Sequence, residues 1–159
     1  MMPGLRTEGP FPALELRDVA GVPHPLADAW REGEALILIG HHGCKTTRMT
    51  LAYVERIHDR RRHGTRVLAI LQDDAESARE LQAGLSLTLP LRLEPDPYPL
   101  SHALGLATVP TLFLVGRGGR IERVCEAFDR GELERFAARL GAPPPLFTAE
   151  DDAPAQKPG

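Results

Sequence analysis

Two rhythms of apolar and polar positions divide this chain. Ala35-Leu36-Ile37-Leu38-Ile39 is apolar throughout and Val67 to Leu71 repeats the run; stretches this short and unbroken predict strands buried on both faces. Between them, Met49, Tyr53 and Ile57 recur every four residues and Val54 widens the stripe, which predicts an amphipathic helix from Lys45 to about Arg62. His58, Arg60, Arg61 and Arg62 gather at its far end, where cations meet the negative pole of the helix dipole, and Gly64 stops it. Asp73 and Glu76 have capping-box spacing for a second helix with an inner face of Ala78, Leu81 and Leu85.

Further along, Leu91 to Leu93 predicts a short strand and Tyr98 to Leu106 a short helix. The segment Thr108 to Val115, the glycines at 116, 118 and 119, and Arg120 to Glu126 together predict a hairpin. Leu133, Phe136, Ala137 and Leu140 line a last helix from near Asp129 to Gly141. Upstream, Phe11, Leu14 and Leu16 lead to the turn Gly21-Val22-Pro23, which suits a short strand or hairpin. Two buried strands joined through a helix imply a right-handed parallel crossover, and the hairpin adds antiparallel strands to the same sheet. The expected class is therefore α/β, with a central mixed sheet flanked by helices. Residues 1–10 are expected to be flexible, 11–141 to form one domain, and the Pro-rich 142–159 to be a disordered tail.

Composition narrows the function classes. A chain of 159 residues suits one domain, and 42% apolar with 26% charged residues is ordinary globular usage. A net charge of -3 gives no pull toward nucleic acid, and no run reaches the roughly 18 apolar residues of a membrane span. Neither nucleic acid nor membrane is an expected partner. The first residues include Arg6, Glu8, Glu15, Arg17 and Asp18 without a signal-like apolar stretch, so a cytoplasmic location is expected. Cys44 and Cys125 are the two cysteines, too few for a disulfide framework or a paired-cysteine zinc site.

Cys44 carries the chemistry. It follows the Gly40-His41-His42-Gly43 loop and opens the first helix, where free backbone N–H groups and the positive dipole end favour thiolate. Thr47, one helical turn on, can donate a hydrogen bond to that sulfur but cannot form a disulfide with it. His41, His42 and Lys45 are expected to modulate the thiol electrostatically. Two histidines and one thiol make a poor closed zinc site, so no metal and no other cofactor is expected. Arg60, Arg61 and Arg62 read as helix capping rather than phosphate contacts.

The order strand, helix, strand, helix, hairpin, helix, with a thiol after the first buried strand, resembles the thioredoxin fold. The entrance at Phe11 to Leu26, the insertion at about 86–100, and Val109-Pro110-Thr111 followed by Gly119 resemble its redoxin branch, which holds peroxiredoxin-like and TlpA-like thiol-disulfide proteins. The family's Cys-x-x-Cys stands here as Cys44-Lys45-Thr46-Thr47. Its attacking cysteine is kept and its resolving cysteine is a threonine. By the same resemblance the peptide bond before Pro110 is expected to be cis, with Val109 and Pro110 lining the groove for substrate backbone. The peroxiredoxin pattern has threonine three residues before its cysteine where this chain has His41, which counts against an efficient peroxidase.

The expectation is a monothiol redox protein, a thiol-disulfide oxidoreductase or weak thiol peroxidase. Cys44 and Thr47 are the catalytic pair, and a protein disulfide or a small thiol such as glutathione is the partner. The alternatives are a redox-inactive binding module that keeps the groove, and a metal carrier using His41, His42 and Cys44. Cys125 is expected to be a packing residue, because the fold places it two strands, about 9 to 10 Å, from the strand that delivers Cys44.

Overall fold

A computed structural model describes residues 4–159 of the chain. Seven strands form one sheet: β1 (Glu15–Arg17), β2 (Pro23–Pro25), β3 (Ala35–Gly40), β4 (Arg66–Leu71), β5 (Leu91–Leu93), β6 (Thr111–Val115) and β7 (Ile121–Glu126). Their order is β2-β1-β5-β4-β3-β6-β7. β3 pairs parallel with β4, Ala35 opposite Arg66, and antiparallel with β6, Ala35 opposite Val115. That central place is why the run Ala35 to Ile39 has no polar position. Leu36 and Leu38 enter one apolar layer, and Ala35, Ile37 and Ile39 enter the other.

The first layer lies under α1 (Lys45–Arg60), α2 (Ala75–Leu85) and α4 (Arg130–Arg139). The opposite layer is built from Phe11, Trp30, Phe113 and the short α3 (Pro99–Leu104). The mixed sheet with flanking helices is the architecture the pattern predicts. No helix among the described residues is long and apolar enough to cross a membrane.

Local differences have local causes. α1 ends at Arg60, because Arg61 is already extended and Gly64, at φ +94°, belongs to the following turn. Arg60 and Arg61 donate to the carbonyls of Pro145, Thr65 and His58, so they finish the helix and bind the chain around it. Asp74, not Asp73, caps α2 by accepting from the Ser77 N–H at 2.8 Å. Asp73 is engaged elsewhere, at the site described below.

The ends of the chain depart further. Within the stretch expected to be flexible, Arg6 donates its N–H to the Leu104 carbonyl and Pro10 bridges to Arg120; residues 1–3 lie outside the described residues. The expected disordered tail is instead packed. Leu146 and Phe147 are buried beside Tyr53 and Phe128, and Arg56 grips Asp151 with two hydrogen bonds of 2.8 and 2.6 Å. A bidentate guanidinium–carboxylate pair plus buried aromatic area outweighs the entropy favouring a loose tail. Beyond it, β9 (Gln156–Lys157) pairs antiparallel with β8 (Phe128–Asp129), Phe128 opposite Lys157.

Candidate active site

β3 delivers the chain to the site, and α1 begins there. Gly40 closes β3 without a side chain, since a Cβ would stand 2.6 Å from the Thr47 methyl. His41 turns back toward Cys44, whose N–H donates to the His41 carbonyl at 3.1 Å. Cys44 is then the N-cap of α1, half-buried, and its carbonyl accepts the Arg48 N–H. Its Sγ donates to the Val109 carbonyl at 3.7 Å, which ties the thiol to the loop before β6.

Opposing forces act on that thiol. Burial is the largest single one and disfavours the charged form, yet the hydroxyls and N–H groups of Thr47 and Thr46, placed as donors toward a thiolate, together outweigh it; the thiol itself accepts no cap hydrogen bond. The Cys44 pKa is lowered. Thr47 is fully buried, and its hydroxyl also accepts weakly from the His41 N–H at 3.5 Å. Lys45, expected to add its charge, is exposed, where solvent and salt screen it.

His41 and His42 converge on a third residue that sequence reading assigned to helix capping. The Asp73 carboxylate, only 1% exposed, accepts from the His42 N–H at 3.0 Å and pairs with His42 Nδ1, and His41 Nε2 stands 3.3 Å from it. Among the described residues, His41, His42 and Asp73 are the group whose ligand atoms lie within metal-binding range, all within 4.8 Å; Cys44 is not part of it. The set His41, His42 and Cys44 is therefore corrected in its third member. Gly43 donates its N–H to His41 Nδ1 at 3.0 Å, so in the neutral ring Nε2 carries the proton. As arranged, the cluster braces the loop before Cys44 through hydrogen bonds from His42 to Asp73 and from Gly43 to His41.

The Val109–Pro110 peptide bond is cis, as the resemblance implies. Val109 stands beside Cys44, and the Pro110 carbonyl accepts the Ala127 N–H at 2.7 Å, joining this loop to the residue before β8. A cavity of about 340 Å³ opens on the other side of Val109, lined by Gln72, Tyr98, Ser101 and Thr108 among others. Beneath it Glu94, fully buried, accepts from the Ser101 N–H and hydroxyl, and Gln72 donates to the same hydroxyl. Sequence reading missed Glu94: it follows a short strand with no periodic signal, and only its zero exposure marks it. Thr46 and the segment 156–159 were missed too. The Thr46 hydroxyl donates to the Pro158 carbonyl, and Gly159 lies against Thr108 and Val109.

Cys125 sits in β7 opposite Leu112, which in β6 sits opposite Leu38 of β3. Both cysteines are free thiols. Burial, with the nearby Asp129 and Glu132 carboxylates, pushes the Cys125 thiol up to about 12.

No family model matches the chain, and no curated protein matches it by sequence. Solved structures do match. The Chlorobium tepidum protein assigned as the thiol:disulfide interchange protein DsbE is 17% identical with a TM-score of 0.75, over 86% of this chain and 96% of that one. The thioredoxin domain of a thiol-disulfide oxidoreductase from Bacteroides vulgatus is 19% identical with a TM-score of 0.71, over 84% and 99%. Peroxidoxin BcpB from Mycobacterium tuberculosis is 14% identical with a TM-score of 0.68, over 86% and 96%. Likeness at these identities speaks for the fold, and the fold of this chain is the thioredoxin-like one that these thiol-disulfide proteins and the peroxidoxin share.

Proposed function

We propose that the protein is a monothiol thiol-disulfide exchange protein with Cys44 as its nucleophile. The observation that carries this reading is a half-exposed Cys44 at the N-terminus of a 16-residue helix, its ionisation favoured by Thr46 and Thr47 and its sulfur facing the Val109–Pro110 loop. Fold relatives named as thiol-disulfide proteins support it. In the first step the Cys44 thiolate attacks one sulfur of a substrate disulfide; a Cys44–substrate disulfide forms and the other sulfur leaves as thiolate. Thr47 has no thiol to finish the reaction internally. An external thiolate, such as glutathione, attacks the mixed disulfide at the substrate sulfur, restores the Cys44 thiolate and departs joined to the substrate. Two unpaired cysteines suit a reducing compartment, which supports a cytoplasmic site of action.

Replacing Thr47 with cysteine tests the assignment, because it supplies the absent resolving thiol one helical turn from Cys44. Wild type should exchange glutathione with a peptide disulfide but reduce insulin poorly with dithiothreitol, and Thr47→Cys should reduce insulin well. Equal insulin reduction by both proteins would show that resolution comes from elsewhere. A folded Thr47→Cys protein that forms its disulfide yet reduces nothing, beside an inert wild type, would replace the exchange reading with that of a redox-inactive binding module.

A further inference from the structure

The groove beside Cys44 already holds a piece of this chain. Gln156 and Lys157 add as a short strand to β8, the Ala155 carbonyl accepts the Arg130 N–H at 2.9 Å, and the Gln156 side-chain amide donates to Asp129 at 3.0 Å. This brings Pro158 over the first turn of α1, where its carbonyl accepts the Thr46 hydroxyl at 2.5 Å. Gly159 then lies on the Val109 carbonyl that also accepts the Cys44 thiol. A Cβ at Gly159 would overlap that oxygen and stand 2.5 Å from the Thr108 hydroxyl, so only a residue without a side chain fits.

We propose that residues Gln156–Gly159 are a releasable strap that occupies the groove between Thr46, Val109 and β8, so that a disulfide substrate must displace it to reach Cys44. The proposal rests on the exchange reading of that thiol. Two features suit a strap rather than a fixed wall. Its root is firmly anchored, with Leu146 and Phe147 buried and Asp151 gripped by Arg56. Residues 156–159 are held more lightly: Gln156, Pro158 and Gly159 are exposed, and a two-residue ladder with a few single hydrogen bonds holds them. A tethered segment competes at the high effective concentration of an intramolecular ligand, so weak contacts suffice to keep the groove filled while an arriving peptide can still replace them.

The strap also touches the chemistry of the thiol. Thr46 has one hydroxyl proton, and it cannot be given to the Pro158 carbonyl and to the Cys44 sulfur together. Lifting the strap frees that proton for the thiolate and lets more water reach the half-exposed residue. Both effects favour ionisation, so release uncovers Cys44 and activates it in one movement.

The test uses the full chain with Gly159→Val, which cannot seat against Val109, and separately Gln156→Pro, which removes the side-chain contact with Asp129 at the other end. Neither residue lies in the reacting machinery. Cys44 alkylation is followed from pH 5 to 9 with small iodoacetamide and with a bulky maleimide. Both variants should react about ten-fold faster with the maleimide at pH 7, the weight of one or two net hydrogen bonds lost, with a smaller gain for iodoacetamide and a lower pH midpoint. Hydrogen exchange at residues 156–158 should rise in step. A Cys44 that is reactive but equally fast in wild type and both variants would overturn the strap and leave the exchange reading standing. A Cys44 that stays unalkylated at pH 8 in all three proteins would overturn the exchange reading, and the strap with it.

Discussion

Cys44 and Cys125 are the same side chain in two environments, and the sheet decides the difference. Cys44 leaves the end of β3 and caps a helix, so hydroxyl and N–H donors surround it. Cys125 sits near the end of the edge strand β7 on its helix-covered face, where its sulfur donates to the carbonyls of Glu126 and Ala127 at 3.8 Å. Carbonyls can accept from a thiol but cannot stabilise a thiolate, and burial removes the water that would. One thiol is pulled down and the other pushed up to about 12. A strand end followed by a helix start therefore favours the thiolate, and burial beside carboxylates and carbonyls disfavours it.

The hardest attempt to break this contrast is to delete each sulfur in turn. Cys44→Ser should take disulfide exchange with glutathione down to the uncatalysed background, whereas Cys125→Ala should keep wild-type turnover. A loss of similar size in both would return Cys125 to the mechanism.

Alkylation gives the next largest effect. At pH 7 the native protein should label Cys44 over Cys125 by about a thousand-fold or more, from thiolate fractions alone. Peptide mapping after a short iodoacetamide pulse reads the ratio directly, and urea should erase it. Comparable labelling of the two cysteines in the folded state contradicts the assigned environments.

Stability against pH sharpens the contrast through its sign. Cys125 has a folded pKa raised above the unfolded thiol's, so the stability it contributes is whole below about pH 8.5 and drains away as pH rises toward about 12. Cys44 has the opposite sign: its depressed folded pKa contributes stability above the unfolded value, lost as pH falls through the folded one. Between pH 9 and 11, denaturant titrations should show wild-type stability falling more steeply than that of Cys125→Ala, by up to about 1.4 kcal/mol per pH unit. Parallel slopes would mean that Cys125 ionises in the folded protein.

The smallest effect isolates one donor. Thr47→Val keeps the shape of a fully buried side chain and removes its hydroxyl, so the Cys44 pKa should rise and alkylation at pH 7 should slow by roughly three- to ten-fold. An unchanged pH profile would leave Thr46 and the helix N-terminus as the whole source of the depression.

How much of this was legible beforehand follows from the range over which residues act. The run Ala35 to Ile39, the four-residue spacing of Met49, Tyr53 and Ile57, and the Asp129 cap of α4 are local, because each records the period or end of one element. They placed Cys44 between a strand and a helix, and its first-turn donors with it. Asp73 shows the limit: its spacing to Glu76 suited a cap, but a buried carboxylate goes where the most donors converge, and His42 offered two. The tail shows it again. Three successive prolines suggested disorder, while Leu146 and Phe147 had a hydrophobic layer to complete that only the packed helices created.

By itself, then, the sequence determined the elements, the α/β class and the place of Cys44 at a helix start, because periodicity, caps and helix ends act over a few residues. Only the tertiary structure decided what surrounds that thiol. His42 meets Asp73 across 31 positions, Cys44 meets Val109 across 65, and Thr46 meets Pro158 across 112. No local pattern encodes such pairs, since which groups meet depends on strand order and on how the layers close over the sheet.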